Sequence, residues 1–389
     1  MRIRASHPVL LTPGPIETDD DVLLAMQHYS ESHVGQPFVE IFGETLTMLR
    51  KVLQTTDPGS QPFIISGSGS LGFDQVATNV LGPKDNVLVL NVGYWGDSFV
   101  ECLRMYEVEV DEIKAPLGCQ PGLWEIAARL RKRNYKAITI THVDTATGVL
   151  CDIQSIAALV RSISPDTLII VDGVCSIGSE DLRFDAWGLD VVIGASQKAL
   201  GAPAGLSISM VSKRVIQALE GGRLKSRSFY CSWSRWLPIM RNYEAKKPSY
   251  FATPPSQLVR ALHVSLSQIT SHSIQERLQQ HRRASEIVKN AISTLGLSQV
   301  AHNPTDQAHG MTAFYLPIGL EAEQILPKLA RRGAILARGP QAEIAGQYIR
   351  FAHMGVSVVD PRRRDIEIGI EALNDTIREL RSTLKISST

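Results

Sequence analysis

From residue 61 to residue 211, short runs rich in Val, Ile and Leu alternate with longer amphipathic stretches. The runs at 61–66, 86–90, 108–113, 137–141, 168–172, 191–195 and 206–211 read as strands. The stretches at 71–81, 123–133, 153–163 and up to 105 carry apolar residues at helical spacing. Strand then helix, repeated this often, implies a mostly parallel sheet sandwiched between helices. The fold class expected is therefore α/β.

In open sheets of this kind, ligands bind beyond the carboxyl ends of the strands. Two of the runs stop there on polar residues that differ in kind. Asp172 follows Ile-Ile-Val directly, so its carboxylate sits beside apolar packing and calls for a cationic partner. Lys198 follows the next strand after a Gly-Ala-Ser-Gln turn, and a half-buried lysine there has its pKa lowered toward nucleophilic use. A buried salt bridge between the two accounts for both. So does one cofactor: pyridoxal phosphate needs a lysine amine for its carbonyl carbon and an acid for its ring nitrogen.

Other strand ends add candidates. Ser66-Gly-Ser-Gly-Ser70 joins a short strand to a helix, and small residues at a helix N-terminus make a phosphate cup. No Gly-Lys-Ser/Thr follows, so it is not a Walker loop, and Asn91 stands where a dinucleotide site wants an acid. Trp95, at the end of the next strand, either stacks on a planar ring or joins the core. Thr145 either donates its hydroxyl to the same ligand or closes a turn. His142 reads as a hydrogen-bonded strand-end residue rather than a catalytic base.

Outside this region, Thr18 or Asp19 caps a helix running to 29, and 38–53 is amphipathic. One long helix is expected from 256 past Gly296. Strands follow at 311–316, 335–337 and 348–352, with helices at 321–332 and 362–384. Arg350 interrupts an otherwise apolar strand, so its guanidinium needs either a substrate carboxylate or a salt bridge between domains.

Composition narrows the partners. The chain is 389 residues long, 44% hydrophobic and 20% charged, with a formal net charge of +1, so nothing suggests nucleic acid. The length favours two domains. Five scattered cysteines without a Cys-x-x-Cys pair fit a reducing compartment and argue against disulfides or structural zinc, and no metal is expected. No apolar run approaches the roughly 20 residues of a membrane helix. The opening Met-Arg-Ile-Arg has no signal-peptide core and the final Ser-Ser-Thr is no peroxisomal address, so a soluble, cytoplasmic protein is expected.

Several pieces together resemble class V aminotransferases: Thr12-Pro-Gly-Pro15, Ser66-Gly-Ser-Gly69, Tyr94-Trp-Gly96, Thr141-His-Val-Asp-Thr-Ala-Thr-Gly148, Val171-Asp-Gly-Val-Cys-Ser176 and Ala195-Ser-Gln-Lys-Ala-Leu-Gly-Ala-Pro203. Within that class the chain is most similar to the alanine:glyoxylate and serine:glyoxylate enzymes. The resemblance implies a fold-type I pyridoxal-phosphate transferase with a smaller C-terminal α+β domain. It implies an arm over 1–20, a large cofactor domain over 21–270 and a small domain over 271–389. It also implies a homodimer with active sites between subunits.

Residue by residue, Lys198 matches the family's Schiff-base lysine and Asp172 the partner of the ring nitrogen. Ser68, Gly69, Ser70 and Gln197 match phosphate-side positions, Trp95 and Val174 the two ring faces, and Thr145 a hydroxyl contact. Tyr250 and Thr253 match residues reaching the phosphate from the other subunit. Arg350 matches the carboxylate-binding arginine, and Gly14 lies at the substrate mouth. Ser70 replaces a histidine of animal relatives, and Ala204 a proline found in many. The activity implied is transamination of L-alanine with glyoxylate, giving pyruvate and glycine. The alternatives are serine:glyoxylate or serine:pyruvate transamination and, more remotely, cysteine desulfuration, for which no cysteine here stands out as a mobile nucleophile.

Overall fold

A computed structural model describes residues 7–387. The basic residues 1–6 and the last two, on which the leader and address readings partly rested, lie outside the described residues. A short strand, β1 (Val9–Leu10), leads to α1 (Asp20–Ala25) and α2 (Gln36–Val52). The alternating region then runs β2 (Gln61–Ser66), α3 (Leu71–Asn79), β3 (Asn86–Asn91), α4 (Tyr94–Met105), β4 (Glu109–Lys114) and α5 (Leu123–Lys132). It continues through β5 (Ala137–Thr141), α6 (Ile153–Ile163), β6 (Leu168–Asp172), β7 (Val191–Ala195) and β8 (Leu206–Val211).

These strands form one seven-stranded sheet in the order β2-β8-β7-β6-β5-β3-β4. Only β8 runs against the rest, antiparallel to both β7 and β2. The reason is length: the link 196–205 is too short for the crossover a parallel neighbour needs. Every residue of β5, β6, β7 and β8 is buried, as strands covered by helices on both faces require. Because β2, β3, β5, β6 and β7 point the same way, their carboxyl ends share one edge of the sheet.

The next region departs from expectation in two places. The aromatic segment 230–243, read without an element, folds as a helix from Trp233 on. Here α7 (Lys213–Glu220) and α8 (Trp233–Glu244) are both capped by serine side chains, Ser212 and Ser232, and burial of Trp233, Trp236 and Tyr243 carries α8 past its internal Pro238. The single helix expected from 256 is two, α9 (Ser256–Thr270) and α10 (Ile274–Thr294), because the Ser273 hydroxyl caps the second. Near the start, Asp19 does cap α1, but the helix ends at Ala25 instead of 29, with Tyr29 left 75% exposed.

Beyond α10, β9 (Met311–Tyr315), α11 (Ala322–Arg331), β10 (Ala334–Ile335), β11 (Ala337–Arg338), β12 (Tyr348–Ala352), α12 (Val356–Val359) and α13 (Asp365–Ser387) complete the chain. The expected strand at 335–337 is split. β10 pairs with β1, while β11 joins the antiparallel order β11-β12-β9. This small sheet has its own core around Phe314, Phe351, Leu373 and Ile377, into which Leu11 of the N-terminal segment is drawn. A third cluster, including Ile16, Val143, Cys175, Met311 and Met354, lies between the two sheets. Among the described residues no helix is long and apolar enough to cross a membrane, and no group of side chains could hold a metal.

Candidate active site

The shared strand edge surrounds a cavity of about 230 Å³. The turn after β2 supplies one wall. Its backbone lies so close to the turn after β6 that a Cβ on Gly69 would come within 2.9 Å of Val174 Cγ2. The backbone amides of Ser68, Gly69 and Ser70 have no protein acceptor among the described residues, and the Ser70 hydroxyl makes no capping bond to α3. Free amides at a helix N-terminus form an anion site.

Lys198 and Asp172 also line this cavity, 8% and 4% exposed. They form no ion pair with each other, so the buried salt bridge open to the sequence is not made. The Lys198 ammonium instead donates to the Pro13 carbonyl, and an Asp172 carboxylate oxygen accepts from the Val174 amide at 3.1 Å. Burial pushes the Asp172 carboxyl up to about 7. The Val174 amide and the Lys198 charge oppose that shift, and the charge of Asp144 adds to it. Burial likewise lowers the Lys198 pKa, toward the neutral amine that acts as a nucleophile, and Arg350 adds to the effect. Gln197 contributes a buried side-chain oxygen without a partner. An acid with no cation bonded to it, backbone amides with no protein acceptor and a buried amine, all on one cavity, are the demands that pyridoxal phosphate meets through its ring nitrogen, phosphate and carbonyl.

Tyr94, Trp95 and Gly96 form the first turn of α4 rather than a link before it. The indole Nε1 of Trp95 donates to the Thr145 hydroxyl at 2.6 Å, leaving that hydroxyl's own proton for a ligand. Asp144, given no role in the sequence reading, holds this corner together. It is fully buried and accepts from the amides of Trp95 (2.9 Å), Ala146 (2.8 Å) and Thr147 (3.1 Å). An Asp bonded to the amide two residues on is an Asx turn, a signal the segment Asp144-Thr-Ala did carry. His142 differs from expectation. Its ring Nδ1 is buried without a partner, and burial pushes its pKa down to about 4, so the ring stays neutral and lies outside the cavity lining.

Gly14 lines the cavity as well. At φ +105° it occupies a conformation suited to glycine, and a Cβ there would run into the Lys198 side chain. Arg350 stands beside the cavity. Its guanidinium donates to the Arg338 carbonyl (3.0 and 2.7 Å) and to the Thr145 carbonyl (3.0 Å). It forms no ion pair with a carboxylate among the described residues, so the interdomain salt bridge is absent too. Tyr250, 62% exposed with its ring tilted at 40° to that of His33, and Thr253, also exposed, do not line the cavity. Phe73, Val143 and Cys175 line it without having been singled out, since each reads from sequence as ordinary core.

Comparison with known proteins agrees with this geometry. The family model described as aminotransferase class V matches residues 9–356. Alanine–glyoxylate aminotransferase 1 of Saccharomyces cerevisiae is 40% identical over 361 residues, covering 90% of this chain and 93% of the yeast protein. Serine–glyoxylate aminotransferase of Arabidopsis thaliana is 27% identical, covering 89% and 85% of the two chains. Among solved structures, alanine–glyoxylate aminotransferase from Nostoc sp. superimposes with a TM-score of 0.86 at 26% identity, covering 97% of each chain.

Proposed function

We propose, since the chain belongs to the class V aminotransferase family, that it is a pyridoxal-phosphate enzyme moving the amino group of L-alanine to glyoxylate, with pyruvate and glycine as products. The observation that carries this reading is the pairing of Lys198 and Asp172 in one buried cavity without a bond between them. When bound, the cofactor supplies an electrophilic carbon and a ring that accepts electrons.

The residues fit specific parts of it. Ser68, Gly69, Ser70 and Gln197 would hold the phosphate, joined by Tyr250 and Thr253 from a second subunit of a homodimer. Trp95 and Val174 would hold the ring faces, and Thr145 would donate its hydroxyl. Asp172, as a carboxylate, would keep the ring nitrogen protonated. The Lys198 amine would carry the proton from the substrate Cα to the cofactor's electrophilic carbon, and the reverse when glyoxylate takes the amino group. Arg350 fixes the substrate carboxylate: three of its five N–H donors are spent on carbonyls, leaving one on each terminal nitrogen as a fork. Gly14 keeps the mouth open for a small substrate. In this reading residues 21–270 carry the cofactor, residues 271–389 present Arg350, and 1–20 form the arm at the mouth. Five unpaired cysteines suit a reducing compartment such as the cytoplasm.

The yeast relative supports alanine as donor, and the plant relative keeps serine:glyoxylate transamination, with serine:pyruvate beside it, as the second reading. Steady-state rates with alanine or serine against glyoxylate or pyruvate decide between them. Alanine with glyoxylate should give the highest kcat/KM, and a preference for serine would replace the first reading with the second. Borohydride reduction and peptide mapping should mark Lys198, and active enzyme with that peptide unmodified would overturn the site.

A further inference from the structure

Arg277 lies in the first turn of α10, 8% exposed and without a carboxylate partner among the described residues. Its Nε donates to the Gly178 carbonyl at 2.9 Å and its Nη2 to the Ala199 carbonyl at 2.7 Å. These carbonyls belong to different turns. Gly178 lies in the turn that follows Asp172, and Ala199 directly follows Lys198. The two turns touch, since a Cβ on Gly178 would sit 3.3 Å from the Ala199 oxygen. Neither carbonyl accepts a backbone N–H, so the guanidinium satisfies both.

One turn along the same helix, His281 is fully buried. Its Nε2 accepts from the Gly355 amide at 3.2 Å, so its Nδ1 carries the proton donated to the Arg277 carbonyl at 2.8 Å. Gly355 follows β12, the strand of Arg350. One face of α10 thus reaches the turns behind Asp172 and Lys198 and the loop beyond Arg350.

We infer that Arg277 is a positioning residue for transamination: its planar fork locks the turn after Asp172 against the turn after Lys198 and so sets the spacing of acid and amine. A guanidinium presents donors in a fixed plane, whereas lysine offers one flexible point charge, so even the conservative exchange loosens the lock. The effect is geometric. Arg350 and Asp172 are charged groups that act on the Lys198 amine, and Arg277 is not among the groups that do.

Resting on the aminotransferase reading, this assignment is tested in the full-length protein with Arg277→Lys, Arg277→Met and His281→Ala against wild type. Four quantities are measured: apoprotein Tm, the dissociation constant for pyridoxal phosphate, the pH midpoint of the cofactor's absorbance change, and kcat and KM for alanine and glyoxylate. Both Arg277 variants should lose about tenfold or more in kcat and in cofactor affinity, with KM within about threefold of wild type. Their absorbance midpoint should move, with Arg277→Lys the milder. His281→Ala should do the reverse, raising KM by about fivefold or more through Arg350 while kcat stays within about threefold. If Arg277→Met does not fold, Arg277→Lys decides.

Wild-type kcat and an unmoved absorbance midpoint in a folded Arg277 variant, or a loss confined to Tm, would overturn the assignment. So would one common pattern for Arg277 and His281 variants. A wild-type protein that neither binds pyridoxal phosphate nor transaminates would instead sink the aminotransferase reading.

Discussion

The Arg350 guanidinium donates through Nη1 to the Thr145 carbonyl, 3.0 Å away, while the hydroxyl of the same threonine accepts the Trp95 indole proton. A single residue therefore ties β12, the strand of Arg350, to the first turn of α4 through the loop after β5.

Replacing Arg350 by lysine keeps a charge but removes the paired donors left for a carboxylate. Steady-state kinetics with alanine and glyoxylate should show kcat/KM lower by about 100-fold, mostly through KM. A fall confined to kcat would move the carboxylate site elsewhere.

Asp172 gives the protein a pH signature. Burial raises its pKa from 3.8 to about 7 in the folded chain, so between those values the folded state binds more protons than the unfolded one. Its contribution to stability is most favourable below pH 4, declines as pH rises to about 7 and is flat above. On the proposed reading, a protonated ring nitrogen beside the carboxylate would remove that penalty. The Tm gained on adding pyridoxal phosphate should therefore be larger at pH 8 than at pH 5, and Asp172→Asn should flatten the difference. An equal gain in the two proteins at both pH values would separate Asp172 from the cofactor.

Gly14→Ala places a methyl group where the Lys198 side chain runs and strains a φ of +105°. Turnover should fall by about 100-fold, with slower borohydride trapping at Lys198 and a near-normal Tm. Unchanged trapping would mean that the N-terminal segment yields without disturbing the lysine.

Cys175 lines the cavity, but burial pushes its thiol up to about 12, against the pull of the Lys198 charge, so little thiolate exists at neutral pH. Cys175→Ser should keep alanine:glyoxylate turnover within about threefold, and neither protein should release sulfide from cysteine. Sulfide release by wild type and not by the variant would revive the desulfuration reading.

Much of the site was legible before any fold was known. Asp172, Lys198 and the Ser66–Ser70 turn stand at strand ends that periodicity alone locates, and each does open onto the cavity. The readings that failed have separate causes. The helix Trp233–Glu244 is hidden by its aromatic content and Pro238, and is decided by burial against other elements. The break at 271–273 depends on one serine hydroxyl choosing a backbone amide.

Alternation of apolar runs and amphipathic stretches is a local property, so the chain alone determined an α/β sheet and the edge at which its ligands gather. Which polar groups meet there is not local. Arg350 reaches Thr145 across 205 positions, and Arg277 reaches Gly178 and Ala199 across 99 and 78. Only tertiary packing decided that the cations at 198, 277 and 350 would bond to carbonyls rather than to carboxylates. A buried donor takes whatever acceptor the fold brings within 3 Å, and no spacing in the sequence encodes that distance.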